Sequence, residues 1–175
     1  MTVLKGCVVL SHGMGSSPQA TKVSALAAVA DAHGWRTLRP DYRDLDMQGL
    51  AAAAAPRLAR LIEAIPGDGP CVLVGSSFGA FISGLASLQR PVGGLFLLAT
   101  PPLIPDYAHP FAMREGVPAC FVHGWRDDLC PVEAVFNIAR PYRAELLLLD
   151  DDHRLSAKVE IIATCFDRFL ARLDA

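Results

Sequence analysis

Two spacings of apolar residues alternate along the chain. Short runs, most of them rich in Val and Leu, occupy 3–10, 35–39, 71–75, 94–99, 119–123 and 144–149. Runs of this length that are apolar at successive positions read as strands covered on both faces. Between them lie longer segments in which apolar residues mix with Arg, Lys and Glu as amphipathic helices do. The first opens at Ser17-Pro18, a capping residue followed by proline, and closes at His33 before Gly34. Others span 48–64, with Pro56 marking either the true start or a kink, then 78–88, 131–139 and 156–173. Strand and helix in alternation predict an α/β fold: a doubly wound, mostly parallel six-stranded sheet with helices on both faces, formed by residues 1–175 as a single domain.

Composition narrows the classes further. The 175 residues are 52% hydrophobic and 19% charged, too apolar for a disordered chain and long enough to build one sizeable core. Sixteen Lys and Arg against 18 Asp and Glu leave a net charge of -2, without the concentrated basic charge that nucleic acid binding requires. Asp31 interrupts the apolar stretch near Val29, and Thr100-Pro101 ends the run at 94–99, so no run approaches the roughly 18 residues of a membrane span. A lone Lys5 and a short apolar run before Ser11-His12-Gly13 do not make a signal peptide, and a cytoplasmic protein is expected. Of the five cysteines, Cys7, Cys71 and Cys120 abut apolar runs and read as reduced core residues, with Cys130 the exposed exception. No Cys or His spacing suggests zinc, and neither metal nor cofactor is expected. Nothing in the pattern fixes an oligomeric state.

The candidate chemistry begins at Gly75-Ser76-Ser77-Phe78-Gly79, a G-x-S-x-G segment between the strand at 71–75 and the helix at 78–88. A strand-turn-helix of this kind holds a serine on a tight elbow, and its glycines remove side chains that would collide as the chain reverses. The alternative is a Gly/Ser turn that merely caps a helix. Ser76 is the rival hydroxyl, but the flanking glycines centre the motif on Ser77. A serine hydroxyl attacks poorly unless a base takes its proton and a third group orients that base. His153 follows the strand at 144–149, and Asp127 and Asp128 follow the strand at 119–123, both at carboxyl ends of strands where sites form in open α/β sheets. The bland readings are a surface histidine, turn aspartates before Pro131, and a solvated run at Asp150, Asp151 and Asp152. His12 and His123 precede glycines at strand ends and are expected to satisfy backbone groups, and Trp125 either lines a pocket or packs in the core.

With the order Ser77, Asp127, His153, the elbow, an H-G loop at His12-Gly13 and an H-G-x-x-D-x-x-x-P segment from His123 to Pro131, the sequence resembles the α/β-hydrolase superfamily. The resemblance runs from Ser11 to Leu155. It implies a sheet keeping six of the usual eight strands, Asp127 rather than Asp128 as the acid, and a small serine esterase without a cap. Backbone N–H groups for the developing oxyanion would come from Phe78, at a helix N-terminus, and, by similarity, from Met14 in the glycine-rich loop after the first strand. That loop lacks both G-x-G-x-x-G and a Walker lysine, against nucleotide binding. The short connection carrying Pro101, Pro102, Pro105 and Pro110 has no room for an inserted cap, so an open pocket is expected with Tyr107, Phe111 and Trp125 as candidate walls. The partner implied is a small-molecule ester or thioester hydrolysed through an acyl-enzyme on Ser77. The rival is a binding protein that keeps the scaffold without the chemistry.

Overall fold

The computed structural model describes residues 4–173, and the first residue of the strand expected at 3–10 lies outside them. The elements in chain order are β1 (Cys7–Ser11), α1 (Thr21–Ala32), β2 (Arg36–Leu38), α2 (Arg43–Asp46), α3 (Leu50–Ala64), β3 (Cys71–Ser76), α4 (Phe78–Gln89), β4 (Gly94–Leu98), β5 (Ala119–Gly124), α5 (Val132–Ala139), a 3-10 turn (Arg140–Tyr142), β6 (Glu145–Leu149) and α6 (Val159–Leu173). All six expected strands are present. They form one wholly parallel sheet in the order β2-β1-β3-β4-β5-β6.

Both faces of the central strands are buried, which explains their uninterrupted apolar character. On one face Val9, Leu73, Leu95, Leu97 and Phe121 pack under α3, α4 and α5. On the other, Val8, Leu10, Val72, Phe96 and Val122 pack under α1 and α6, where Phe96, Phe166 and Phe169 bring their rings together. The register pairs Ser11 with Gly75, Ser76 with Leu98 and Gly124 with Leu149, so the strands deliver their following loops to one edge. The chain steps outward from β1 to β2 and returns to β3 on the other side of β1. The crevice at that reversal is where open α/β sheets bind ligands.

Helices α1, α3 and α6 begin at Thr21, Leu50 and Val159, later than the expected starts at 17, 48 and 156. Residues 17–20 form a turn, with the Ser17 hydroxyl accepting from the Gln19 amide at 3.3 Å, and α1 starts at Thr21 without a side-chain cap. Pro56 sits inside α3 rather than at its start. The hydrogen bond it removes belonged to the carbonyl of Ala52, an exposed residue, so water can take the missing donor's place. The short α2 fell outside the expected pattern because four residues carry too little periodicity to register. No described helix is long and apolar enough to cross a membrane.

Candidate active site

The elbow forms because two side chains are missing. A Cβ on Gly75 would stand 2.5 Å from the Ala80 backbone, and one on Gly79 would overlap the Ser11 carbonyl and come within 2.8 Å of the His12 carbonyl. Their absence lets α4 start directly against the ends of β1 and β3. Ser77 is left at φ 53° and ψ -117°, a strained backbone for an L residue. Its amide donates to the Leu98 carbonyl at 2.8 Å, and its own carbonyl accepts from Ala80 and Phe81 in the first turn of α4, which holds the strained geometry in place.

Ser77, His153 and Asp127 come together although the chain separates them widely. Ser77 Oγ lies 2.9 Å from His153 Nε2, and His153 Nδ1 lies 2.7 Å from Asp127 Oδ2. A carboxylate can only accept, so Nδ1–H is the donor and Nε2 keeps the lone pair that accepts the serine hydroxyl. Asp127 is anchored on every side. Oδ1 accepts the amides of Leu129 at 3.0 Å and Cys130 at 2.8 Å, and Oδ2 also faces His123 Nε2 at 3.2 Å. His123 Nε2 donates to the Cys130 carbonyl at 2.7 Å, so it serves the backbone as expected, while its buried Nδ1 has no partner among the described residues. Asp128 is exposed and takes no part.

Several expectations need correction. Cys130 is buried, 6% exposed, because the chain turns inward to give its amide to Asp127; the least buried thiol belongs to Cys165 instead. Burial, reinforced by Asp127, pushes the Cys130 thiol up to about 11. Asp127, Cys130 and His153 offer ligand-type atoms within 4.8 Å of one another, but a protonated thiol and an engaged carboxylate are poor metal donors as they stand. In the aspartate run, Asp150 and Asp152 are exposed, whereas Asp151 is buried and accepts the amides of Asp152 at 2.9 Å and Ala157 at 3.0 Å, fixing the turn that carries His153.

The expected aromatic walls do not line the cleft holding Ser77 and His153. Phe111 is in the core against Phe81 and Phe121, Tyr107 packs on Phe81, and Trp125 points to solvent, 59% exposed. The cleft, of about 480 Å³, is walled instead by the 12–16 loop, the first turn of α1 and Arg154. Residues 99–118 contribute no helix over it.

One group has no counterpart in the sequence reading. Arg57 of α3 is wholly buried beneath the 12–16 loop, with Nε and Nη2 each 2.7 Å from Asp46 and Nη1 2.8 Å from the His12 carbonyl. Its guanidinium lies between the rings of Tyr42 and Phe78, 4.5 and 4.6 Å from their centroids. Burial draws its pKa down and Asp46 opposes that. Nη2 and His12 Nδ1 both donate to the Gly13 carbonyl, at 3.3 and 2.8 Å, while His12 Nε2 accepts the Tyr42 amide at 3.1 Å. Because a trans peptide points its N–H opposite to its C=O, holding the Gly13 carbonyl also sets the direction of the Met14 amide. Neither the Met14 nor the Phe78 amide has a hydrogen-bond partner among the described residues. The helical register offered a signal for Arg57, since it shares the inward face of α3 with Ala53, Ala54 and Leu61.

No family model matches the sequence. A segment of the polyketide synthase ThaQ from Burkholderia thailandensis is 40% identical over 72 residues, which is 38% of this chain but 4% of the synthase. A lid-free α/β serine hydrolase from Xanthomonas campestris superposes with a TM-score of 0.74 over 97% of this chain and 83% of its own, at 17% identity, a likeness of fold. A second Xanthomonas campestris protein, assigned to the hydrolases of the α/β superfamily, is 40% identical, with a TM-score of 0.90 over 95% of this chain and 99% of its own. Identity of that degree over nearly the full length of both proteins, together with the six-stranded parallel sheet, makes this chain a member of the α/β-hydrolase superfamily.

Proposed function

We propose that the protein is a serine hydrolase that cleaves small carboxylic esters or thioesters through an acyl-enzyme on Ser77. The observation that carries this reading is the unbroken chain of hydrogen bonds from Ser77 Oγ through His153 to Asp127. His153 Nε2 takes the hydroxyl proton as Ser77 Oγ attacks the carbonyl carbon, and Asp127 holds the ring and stabilises the imidazolium. The carbonyl oxygen becomes an oxyanion, met by the Met14 and Phe78 amides, whose freedom from other partners supports this role. His153 returns the proton to the departing alcohol or thiol. Water, activated by the same imidazole, then releases the acid and restores Ser77.

The test uses a fluorophosphonate probe alongside chromogenic esters and acyl thioesters. Labelling and turnover that both disappear in Ser77→Ala support the hydrolase. A well-folded protein that neither labels nor turns over any member of the panel refutes it and leaves a binding protein on the same scaffold.

A further inference from the structure

The cleft beside Ser77 has an uneven charge. Its two charged walls are Lys22, in the first turn of α1, and Arg154, the residue after His153. The nearby carboxylates of Asp151 and Asp152 are not part of the lining; Asp151 is buried against backbone amides and Asp152 accepts the Arg154 amide at 2.9 Å. Lys22 Nζ spends one N–H on the Arg154 carbonyl, which leaves further donors on the ammonium. The exposed Arg154 side chain is at the same rim. The first turn of α1 adds to this: no acidic residue and no side-chain cap occupies it, so the positive end of the helix is uncompensated. Apolar side chains on the lining are few, Met14, Ala20 and Val23, and offer little to a long acyl chain.

We propose that Lys22 and Arg154 form an anion subsite next to the nucleophile, so that the esters or thioesters cleaved at Ser77 carry a carboxylate or phosphate. This rests on the hydrolase reading above. The carboxylate could belong to the acyl part, as in a dicarboxylic monoester, and the phosphate to the leaving group, as in a phosphorylated thiol. Lys22 also ties the His153 turn to α1, so loss of rate alone would not distinguish binding from support; a ratio between charged and neutral substrates does.

The experiment compares kcat/KM for the 4-nitrophenyl monoester of adipate with that for 4-nitrophenyl hexanoate, and for S-acetyl phosphopantetheine with that for S-acetyl pantetheine. In the native protein one charged member is expected to be preferred by about tenfold or more, the scale of a single charge-assisted hydrogen bond. Lys22→Gln lowers that ratio by about tenfold and Arg154→Gln by a few-fold, whereas Lys22→Arg retains it. The pair showing the preference identifies the source of the charge. Equal turnover within both pairs, or a ratio unmoved by Lys22→Gln and Arg154→Gln, overturns the subsite while leaving the hydrolase intact. Titration of monomethyl adipate and inorganic phosphate into Ser77→Ala by NMR reads the subsite without turnover. Shifts at Lys22 and Arg154 that saturate and weaken in Lys22→Gln support it, and no binding of either probe overturns it even if Ser77 proves inert.

Discussion

Replacing Arg57 by Met separates the folding role of the buried ion pair from its control of the 12–16 loop, proposed above to supply an oxyanion donor. The guanidinium is wholly buried and its partner Asp46 is 8% exposed, so removing the cation strands a carboxylate and strips the His12 carbonyl of its donor. Breaking one side of a buried pair costs about 3–5 kcal/mol. In Arg57→Met/Asp46→Leu the unpaired charge is gone too, and the remaining cost is about 1–3 kcal/mol for the His12 carbonyl. Activity should not recover in parallel. The Gly13 carbonyl keeps its bonds from His12 Nδ1 and the Ser16 amide but loses Arg57, so the Met14 amide is loosened rather than lost. Complete loss of an oxyanion donor costs about 10² to 10³ in kcat, so a loosened one should cost about 10 to 10².

Denaturant unfolding measures the first quantity and chromogenic ester hydrolysis the second, both at a temperature where each variant is folded. The expected pattern is a double variant that regains stability over Arg57→Met while kcat stays low and KM changes little, since the amide acts on the transition state. A kcat within threefold of the native protein in both folded variants would refute the argument that Arg57 sets the Met14 peptide.

Gly79→Ala forces a methyl group into the Ser11 carbonyl, with the His12 carbonyl 2.8 Å away. Neither backbone can yield without moving β1, and thermal unfolding should show a loss of at least about 3 kcal/mol or failure to fold. Cys165 Sγ lies 3.8 Å from Cys120 Sγ, and hydrogen bonding from the Cys120 thiol lowers the pKa of Cys165, whereas burial raises Cys7, Cys71 and Cys130. Iodoacetamide followed by peptide mass spectrometry should therefore find Cys165 alkylated first and already at neutral pH; first labelling of any other cysteine contradicts this. Burial draws Lys22 down to about 8, against the pull of Asp151 and Asp152. The cation exists below that pH and is lost above it, so the preference for the charged member of the responding substrate pair should be full near pH 7 and decline as pH rises through about 8, with Arg154 sustaining a remnant. A preference that grows with pH across that range would be the wrong sign.

The features legible in the sequence are those fixed by neighbours along the chain. Continuous apolar runs marked β1, β3, β4 and β5 because both of their faces are covered, whereas the edge strands β2 and β6 are only partly buried, and the elbow was readable because Gly75 and Gly79 flank Ser77 where a strand meets a helix. Asp127 and His153 could be placed by their positions after β5 and β6, since a parallel sheet sends all such loops to one edge. The walls of the cleft depended on packing between distant segments. Phe111 and Tyr107 pack toward the core where residues 99–118 lie back on α4 and the Phe111 amide reaches the Pro102 carbonyl at 2.8 Å; two aromatic rings on a proline-rich connection gain more from burial than from lining an open cleft. Lys22 reached the cleft only because α1 begins four residues after Ser17, a boundary set by the 17–20 turn.

Arg57 marks the border between the two kinds of information. Its place on the face of α3 shared with Ala53, Ala54 and Leu61 says that it is buried, and desolvation then demands a carboxylate and further acceptors close by. The pattern therefore predicts that partners exist but does not name them. Asp41, Asp44 and Asp46 all precede α3 in the same short stretch, and only the three-dimensional turn at α2 decides between them, giving Asp46 to Arg57 and Asp44 to Arg60. An arginine at a core-facing helical position beside a site loop is thus a sequence signal for a positioning residue, and its partner is found by geometry rather than by spacing.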